Sequence, residues 1–209
     1  MRAPHGVTVV KLGGSYAQAA ELKPWLDCIA ACAGHVVLVP GGGPFADAVR
    51  GAQARMGFDD RAAHHMALLA MEQYGCALAS LSGKLTPAAA AQSIGQALDR
   101  GEVPVWSPAA MVLAAGEIAA SWDVTADSLA AWLAGQIGAA HLLLVKQVRP
   151  AGPCVRAADL VAQGLVDRNF PDFLRASGAD AAIAGPADHA EAAAAIRSGA
   201  SCGTRVDLH

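Results

Sequence analysis

The chain reads as an α/β protein with a mainly parallel central sheet and helices on both faces, and three observations carry that reading. Short, continuously apolar runs alternate with longer alanine- and leucine-rich runs, and two of the short runs end in glycine clusters. A hydrophobic fraction of 54% against 16% charged residues is a composition that folds around a core. The 209 residues fit one domain, 1–209, because no linker, repeat or charge run divides them.

In chain order the short runs are VTVVKL (7–12), HVVLVP (35–40), VPVW (103–106), HLLLVK (141–146) and DAAIAG (180–185). Each is too brief for a helix and apolar on both alternating faces, which predicts strands buried on both sides. The intervening runs predict helices over 16–33, 45–56, 60–81, 88–99, 125–138, 157–164, 169–177 and 187–198, with a terminal strand after Gly203. The run from Leu129 to Val145 is almost uncharged, but Gly135, Gln136, Gly138 and His141 interrupt it and it falls short of the ~20 apolar residues of a membrane span. It predicts a buried helix followed by a buried strand, with no membrane role.

A formal charge of −3 and a pI near 6.1, without a polybasic cluster, argue against nucleic acid as a partner and point to a small molecule. Five cysteines, odd in number and without a C-x-x-C pair, fit a reducing cytoplasm. Apolar helix faces in so hydrophobic a chain lead us to expect a homo-oligomer.

Ligands of parallel sheets bind beyond the carboxyl ends of the strands. Lys11, Gly13, Gly14 and Ser15 follow the first strand, and Gly41, Gly42 and Gly43 follow the second. Either loop alone could be a tight turn; two at one sheet edge form a cradle whose backbone N–H groups can approach phosphate oxygens. Neither is a Rossmann or Walker A loop. SGKLT (82–86) lacks the upstream glycine and has Leu85 where a magnesium-binding hydroxyl is needed, so Lys84 is expected on the surface. GASCG (199–203) satisfies G-x-S-x-G but follows a helix and precedes a strand, which excludes a nucleophile elbow.

Asp123, Thr125 and Asp127 open the run SWDVTADSLAAWLAG (121–135). Thr125 could be an N-cap with Asp127 in the first helical turn; equally, phosphoryl transfer needs an acid that holds lysines in place around a phosphate. Lys146, at the end of the fourth run, is the candidate second lysine beside Lys11, or else a solvated strand-end lysine. Of His64 and His65, one is expected to face a pocket and the other solvent, and no partner spacing suggests a metal site. Trp106 and Trp122 fit core or pocket wall.

VVKLGGS, VPGGGPFADAVR, TADSLAAWLA and LLLVKQV, in this order, resemble the amino acid kinase superfamily, whose members move the ATP γ-phosphate to a carboxylate, carbamate or phosphate. The resemblance runs from Val7 to GTRV (203–206) and implies a three-layer αβα sandwich around the sheet. It implies that Lys11 contacts the transferred phosphoryl, that Gly13, Gly14, Gly42 and Gly43 cradle phosphate, and that Asp127 organises the lysines rather than acting as a base. Asp123 falls where acetylglutamate kinases hold the acceptor with an asparagine, so an acidic residue there implies a cationic acceptor. RAAHHMALLAMEQYG, VPVWSPAAMVL and SWDVTADSLA look most like the small kinases of methanofuran biosynthesis, which phosphorylate an aminomethylfuran phosphate to its diphosphate. Two features depart from the superfamily: QVRPAGP (147–153) stands where many members have an acidic turn, and a later lysine is missing.

These readings lead to an expected ATP-dependent kinase, with magnesium arriving on the nucleotide and a phosphomonoester acceptor held near Asp123, Thr125 and His64. The alternatives are the same chemistry on uridylate, isopentenyl phosphate or acetylglutamate, or a non-catalytic subunit that senses nucleotide or stores oxyanions.

Overall fold

The computed structural model describes residues 6–208. Eight strands form one sheet: β1 (Thr8–Leu12), β2 (Val36–Pro40), β3 (Leu85–Ala88), β4 (Val103–Trp106), β5 (His141–Val145), β6 (Cys154–Arg156), β7 (Asp180–Ala184) and β8 (Thr204–Asp207). Their spatial order is β3-β4-β2-β1-β5-β7-β8-β6, and every neighbouring pair is parallel except β7 with β8. Nine helices accompany them in the described residues: α1 (Leu22–Ala30), α2 (Gly43–Met56), α3 (Asp60–Ser80), α4 (Ala91–Asp99), α5 (Ala109–Ala114), α6 (Ala126–Ile137), α7 (Ala157–Ala162), α8 (Phe170–Ser177) and α9 (His189–Ser198).

Alternation along the central strands separates two apolar clusters. Val9, Leu142 and Leu144 join the cluster beneath α6 and α8, while Val10, Leu12, Leu143 and Val145 join the one beneath α1 and α9. This is the three-layer α/β sandwich expected from the sequence. Full burial of each such aliphatic side chain contributes about 1.5–3 kcal/mol, so the central strands anchor the fold. Small residues let the outer layer pack closely: a Cβ on Gly135 of α6 would lie 3.1 Å from the Cα of Ser177 at the end of α8.

The five apolar runs and the terminal segment after Gly203 are all strands, and several expected helices begin or end differently. The helix expected over 16–33 is a 3₁₀ turn (Gly14–Gln18) and then α1. Pro24 explains the break, since its ring and missing N–H are tolerated only in a first turn. The helix expected over 88–99 starts only at Ala91, because Leu85–Ala88 pairs with β4 as an edge strand that tolerates Pro87. Lys84 is exposed, as expected. The short elements β6 and α5 have no counterpart among the expected ones.

β1 leads leftward to β2, while β5, its other neighbour, leads rightward to β7. The crevice beyond their carboxyl ends is therefore a topological switch point, the usual place for a ligand in such sheets.

Candidate active site

Parity along two adjacent strands builds the charged floor of this crevice. Lys11 continues the face of Val9, and Lys146 continues that of Leu142 and Leu144, so both ammonium groups point toward α6. There the first turn of α6 presents Asp127. Lys11 Nζ lies 2.9 Å from Oδ1 and Lys146 Nζ lies 2.7 Å from Oδ2. The three side chains are only 7%, 14% and 6% exposed for Lys11, Lys146 and Asp127, which removes the alternative of a solvated strand-end lysine.

Burial alone would raise the Asp127 carboxyl, but the charges of Lys11 and then Lys146 outweigh it and hold the group at about 2. Lys146 is lowered to about 8 by burial and then by the charge of Lys11, against the pull of Asp127. A carboxylate so acidic cannot serve as a base near neutrality. What the triad offers is positive charge fixed in a dry place.

The two glycine loops meet beside it, backbone against backbone. A Cβ on Gly14 would lie 2.6 Å from Gly43 Cα, and one on Gly41 only 2.5 Å from Gly14 N, so side chains are excluded between them. Gly13 N–H is engaged by the Val145 carbonyl at 3.1 Å, and Gly43 holds φ at +54°. α2 has no side-chain cap bond and carries Pro44 in its first turn, and the orphan N–H groups of such a helix start can meet an anion. Tyr16 fixes the neighbouring strand end by donating its hydroxyl to the Lys146 carbonyl at 2.9 Å.

A cavity of about 460 Å³ opens over this floor, with Lys11, Gly14, Ser15 and Gly41 to Gly43 on one side. Opposite stand Thr125, His64, Arg50, Asp47 and Trp122, with Leu68 and Met71 as an apolar wall. His64 is buried against the cavity and its imidazole is pushed below the usual value by burial and then by His65; His65 is exposed. Trp122 forms pocket wall and Trp106 is fully buried.

Two expectations need correction. Asp123 is exposed and does not line the cavity among the described residues; its backbone N–H is held by Ser121 and its carbonyl by Asn169. Thr125 occupies the N-cap position of α6 but makes no side-chain cap bond. Asp167, from the segment between α7 and α8, does the capping instead. Its Oδ2 accepts from Thr125 N and Ser128 N, both at 3.0 Å, and from Thr125 Oγ1 at 2.8 Å, while Oδ1 accepts from Ser128 Oγ. Burial and then the charge of Asp127 push the Asp167 carboxyl up, against these hydrogen bonds.

Sequence reasoning missed Asp167 because it stands 42 residues from Thr125, beyond any local spacing rule. It also missed Arg50 and Asp47, which look like an ordinary i, i+3 pair on an exposed helix face (3.3 Å). Their position within VPGGGPFADAVR, one and two turns into a helix that starts at the glycine loop, was the available signal.

The sequence profile described as the amino acid kinase family matches residues 6–149. The chain belongs to this family. A curated relative, the [5-(aminomethyl)furan-3-yl]methyl phosphate kinase of Methanocaldococcus jannaschii, is 24% identical over 180 residues, covering 80% of this chain and 82% of that one. Among solved structures, a uridylate kinase from Archaeoglobus fulgidus superposes with a TM-score of 0.71 at 17% identity, covering 96% of this chain and all of that one. A UMP kinase from Bacillus anthracis gives 0.69 at 16% identity, covering 98% and 97%. These likenesses identify the amino acid kinase fold, and with the family they make the chain an ATP-dependent phosphotransferase. Within the described residues of this kinase no helix is long and apolar enough to cross a membrane.

Proposed function

We propose that this kinase transfers the γ-phosphoryl group of ATP to the phosphate of a small phosphomonoester bound in the α2–α3–α6 cavity. The observation that carries the proposal is the pair of buried lysines on Asp127, set beside two interlocked glycine loops at the switch point. Charge accumulating on a transferring phosphoryl is stabilised by fixed cations and N–H donors, and this floor supplies both. The residues fit a bound triphosphate: the cradle admits backbone only, and the lysines need no rearrangement to meet an anion. Magnesium carried by the triphosphate would add charge neutralisation there. Arg50 is the guanidinium placed to grip the acceptor phosphate. That phosphate is already ionised near neutrality, so an attacking oxygen is available without a strong base.

Two acceptors have specific support. The uridylate kinase likeness of the whole fold supports UMP. The homology to the furan phosphate kinase supports the aminomethylfuran phosphate, with Asp47 rather than Asp123 as the carboxylate on the cavity wall. The test is ADP release scanned over UMP, the aminomethylfuran phosphate, isopentenyl phosphate and acetylglutamate, with Lys11→Ala as control. We expect turnover with one of the first two, lost in Lys11→Ala and unchanged in Asp123→Asn. Turnover with acetylglutamate alone, or ATP binding without any turnover, would overturn the phosphomonoester reading. Exposed Met66 and Leu69 on α3 support a homo-oligomer, which sedimentation equilibrium would measure.

A further inference from the structure

We propose that Gln53 and Trp122 are positioning residues for the acceptor: Gln53 fixes the plane of the Trp122 indole, and that plane fixes the direction of the Arg50 guanidinium. The inference rests on Arg50 as the acceptor clamp and adds the machinery that aims it.

The arrangement is a short chain of contacts running from the start of α3 to the mouth of the cavity. Gln53 Nε2 donates to Asp60 Oδ1 at 2.9 Å and to the Phe58 carbonyl at 3.3 Å, so its amide is held at both ends of the α2–α3 connection. This orientation leaves Oε1 as the acceptor, and Trp122 Nε1 donates to it at 2.7 Å. The indole then lies under Arg50, whose guanidinium carbon sits 4.3 Å from the ring centroid. Asp47 holds the guanidinium at one edge, with Nη1 3.3 Å from Oδ1.

An exposed arginine ordinarily samples many rotamers, and holding it still costs entropy when a ligand arrives. A guanidinium stacked on an aromatic face keeps its planar fork of donors in one orientation, which suits bidentate contact with a phosphate. The indole can serve as that plate only if its own rotation is stopped, and its N–H is the handle by which Gln53 stops it. Gln53 does not line the cavity, so it acts on the acceptor only through Trp122 and Arg50. Spacing is consistent with this division: Asp47 and Arg50 stand one turn apart on the cavity face of α2, and Gln53 stands one turn further on, where α3 begins.

The first test needs no acceptor. In the free protein, the side-chain Nε–H resonance of Arg50, assigned by its loss in Arg50→Lys, should show the upfield shift of a proton over an indole face. Gln53→Met, which keeps the length but not the polar atoms, should lose most of that shift, and so should Trp122→Phe, which keeps a ring but has no N–H for Gln53 to hold. An Arg50 resonance without the shift in the wild type, or one unchanged in Gln53→Met, would overturn the proposal.

The second test uses the acceptor that turns over in the scan above. Gln53→Met and Trp122→Leu should each raise acceptor KM by roughly 5-fold, the order expected for a lost cation–π contact, with kcat and the KM for ATP unchanged. In an Arg50→Lys background both should have almost no further effect. Full additivity with Arg50→Lys would overturn the inference while leaving the clamp intact. An acceptor KM unmoved by Arg50→Lys itself would instead refute the clamp. Melting temperatures of Gln53→Met and Trp122→Leu equal to that of the wild type guard against reading a folding defect as either outcome.

Discussion

Two helices bring their N-termini to one cavity, and they are finished in opposite ways. α2 begins at Gly43 with no side-chain cap and no acid in its first turn, so its N–H groups and positive dipole end remain available. α6 carries Asp127 in its first turn, and its amides at Thr125 and Ser128 are taken by Asp167. One end is open to an anion; the other is already filled with negative charge and uses it to hold two lysines. The comparison teaches that a helix N-terminus does not by itself say which ligand it binds. What decides is whether its orphan donors are spoken for.

Erasing the negative end has the largest expected effect. Asp127→Asn leaves two buried ammonium groups without a counter-charge, which should cost about 3–5 kcal/mol in denaturant unfolding. Turnover should fall on the order of a hundred- to a thousand-fold as the lysines lose their aim. The sign with pH is fixed: the Asp127 carboxyl is at about 2 in the folded protein against an ordinary 3.8, so its contribution is present above 3.8 and lost as pH falls through about 2. The stability gap between wild type and Asp127→Asn should therefore narrow in strong acid.

A smaller effect comes from the lysines themselves. Lys146 sits at about 8, so its cation is lost as pH rises through that value. The kcat/KM for ATP should decline above pH about 8, while kcat, measured with anionic triphosphate already in place, should hold to higher pH. A pH-rate profile in which both limbs fall together would detach Lys146 from nucleotide binding.

Uncapping α6 comes next. Asp167→Ala removes the acceptor for Thr125 and Ser128, which should cost about 1–2 kcal/mol of stability and lower kcat more than it changes KM, because the turn carrying Asp127 loosens. Giving α2 the acid it lacks is the gentlest change. Pro44→Glu should weaken anion binding by roughly 2- to 5-fold through the helix dipole, an effect that added salt should reduce.

The difference between the two ends also marks what could be read from the sequence. The α2 end is local: strand, glycines and helix follow one another within VLVPGGGPFADAVR, so the loop was legible. The floor was legible in part, since Lys11, Asp127 and Lys146 each stand at a strand end or helix start, although only the pairing of β1 with β5 brings them together. The α6 cap was not legible, because a carboxylate from a remote segment replaces the hydroxyl that Thr125 offers in sequence. Asp123 shows the limit of adjacency in sequence: neighbouring Trp122 and Val124 line the cavity, while the residue between them is exposed. At the sheet edge, β3 was hidden by Pro87, a residue that argues against a central strand but not against an outer one.

The antiparallel β8 carries a consequence for the order in which the protein can be assembled during synthesis. β6 is made well before β8, yet β8 is its sheet partner and separates it from β7. Thr204 of β8 also holds the segment after Lys146, its one hydroxyl proton within reach of both the Pro150 and Gly152 carbonyls and its oxygen accepting from Arg149 Nε. A nascent chain can therefore close β1, β2 and β5 around the lysines early, but the loop leading out of Lys146 must wait for the last strand to leave the ribosome. Until then the chain would carry its charged floor with the segment beyond Lys146 still unfastened.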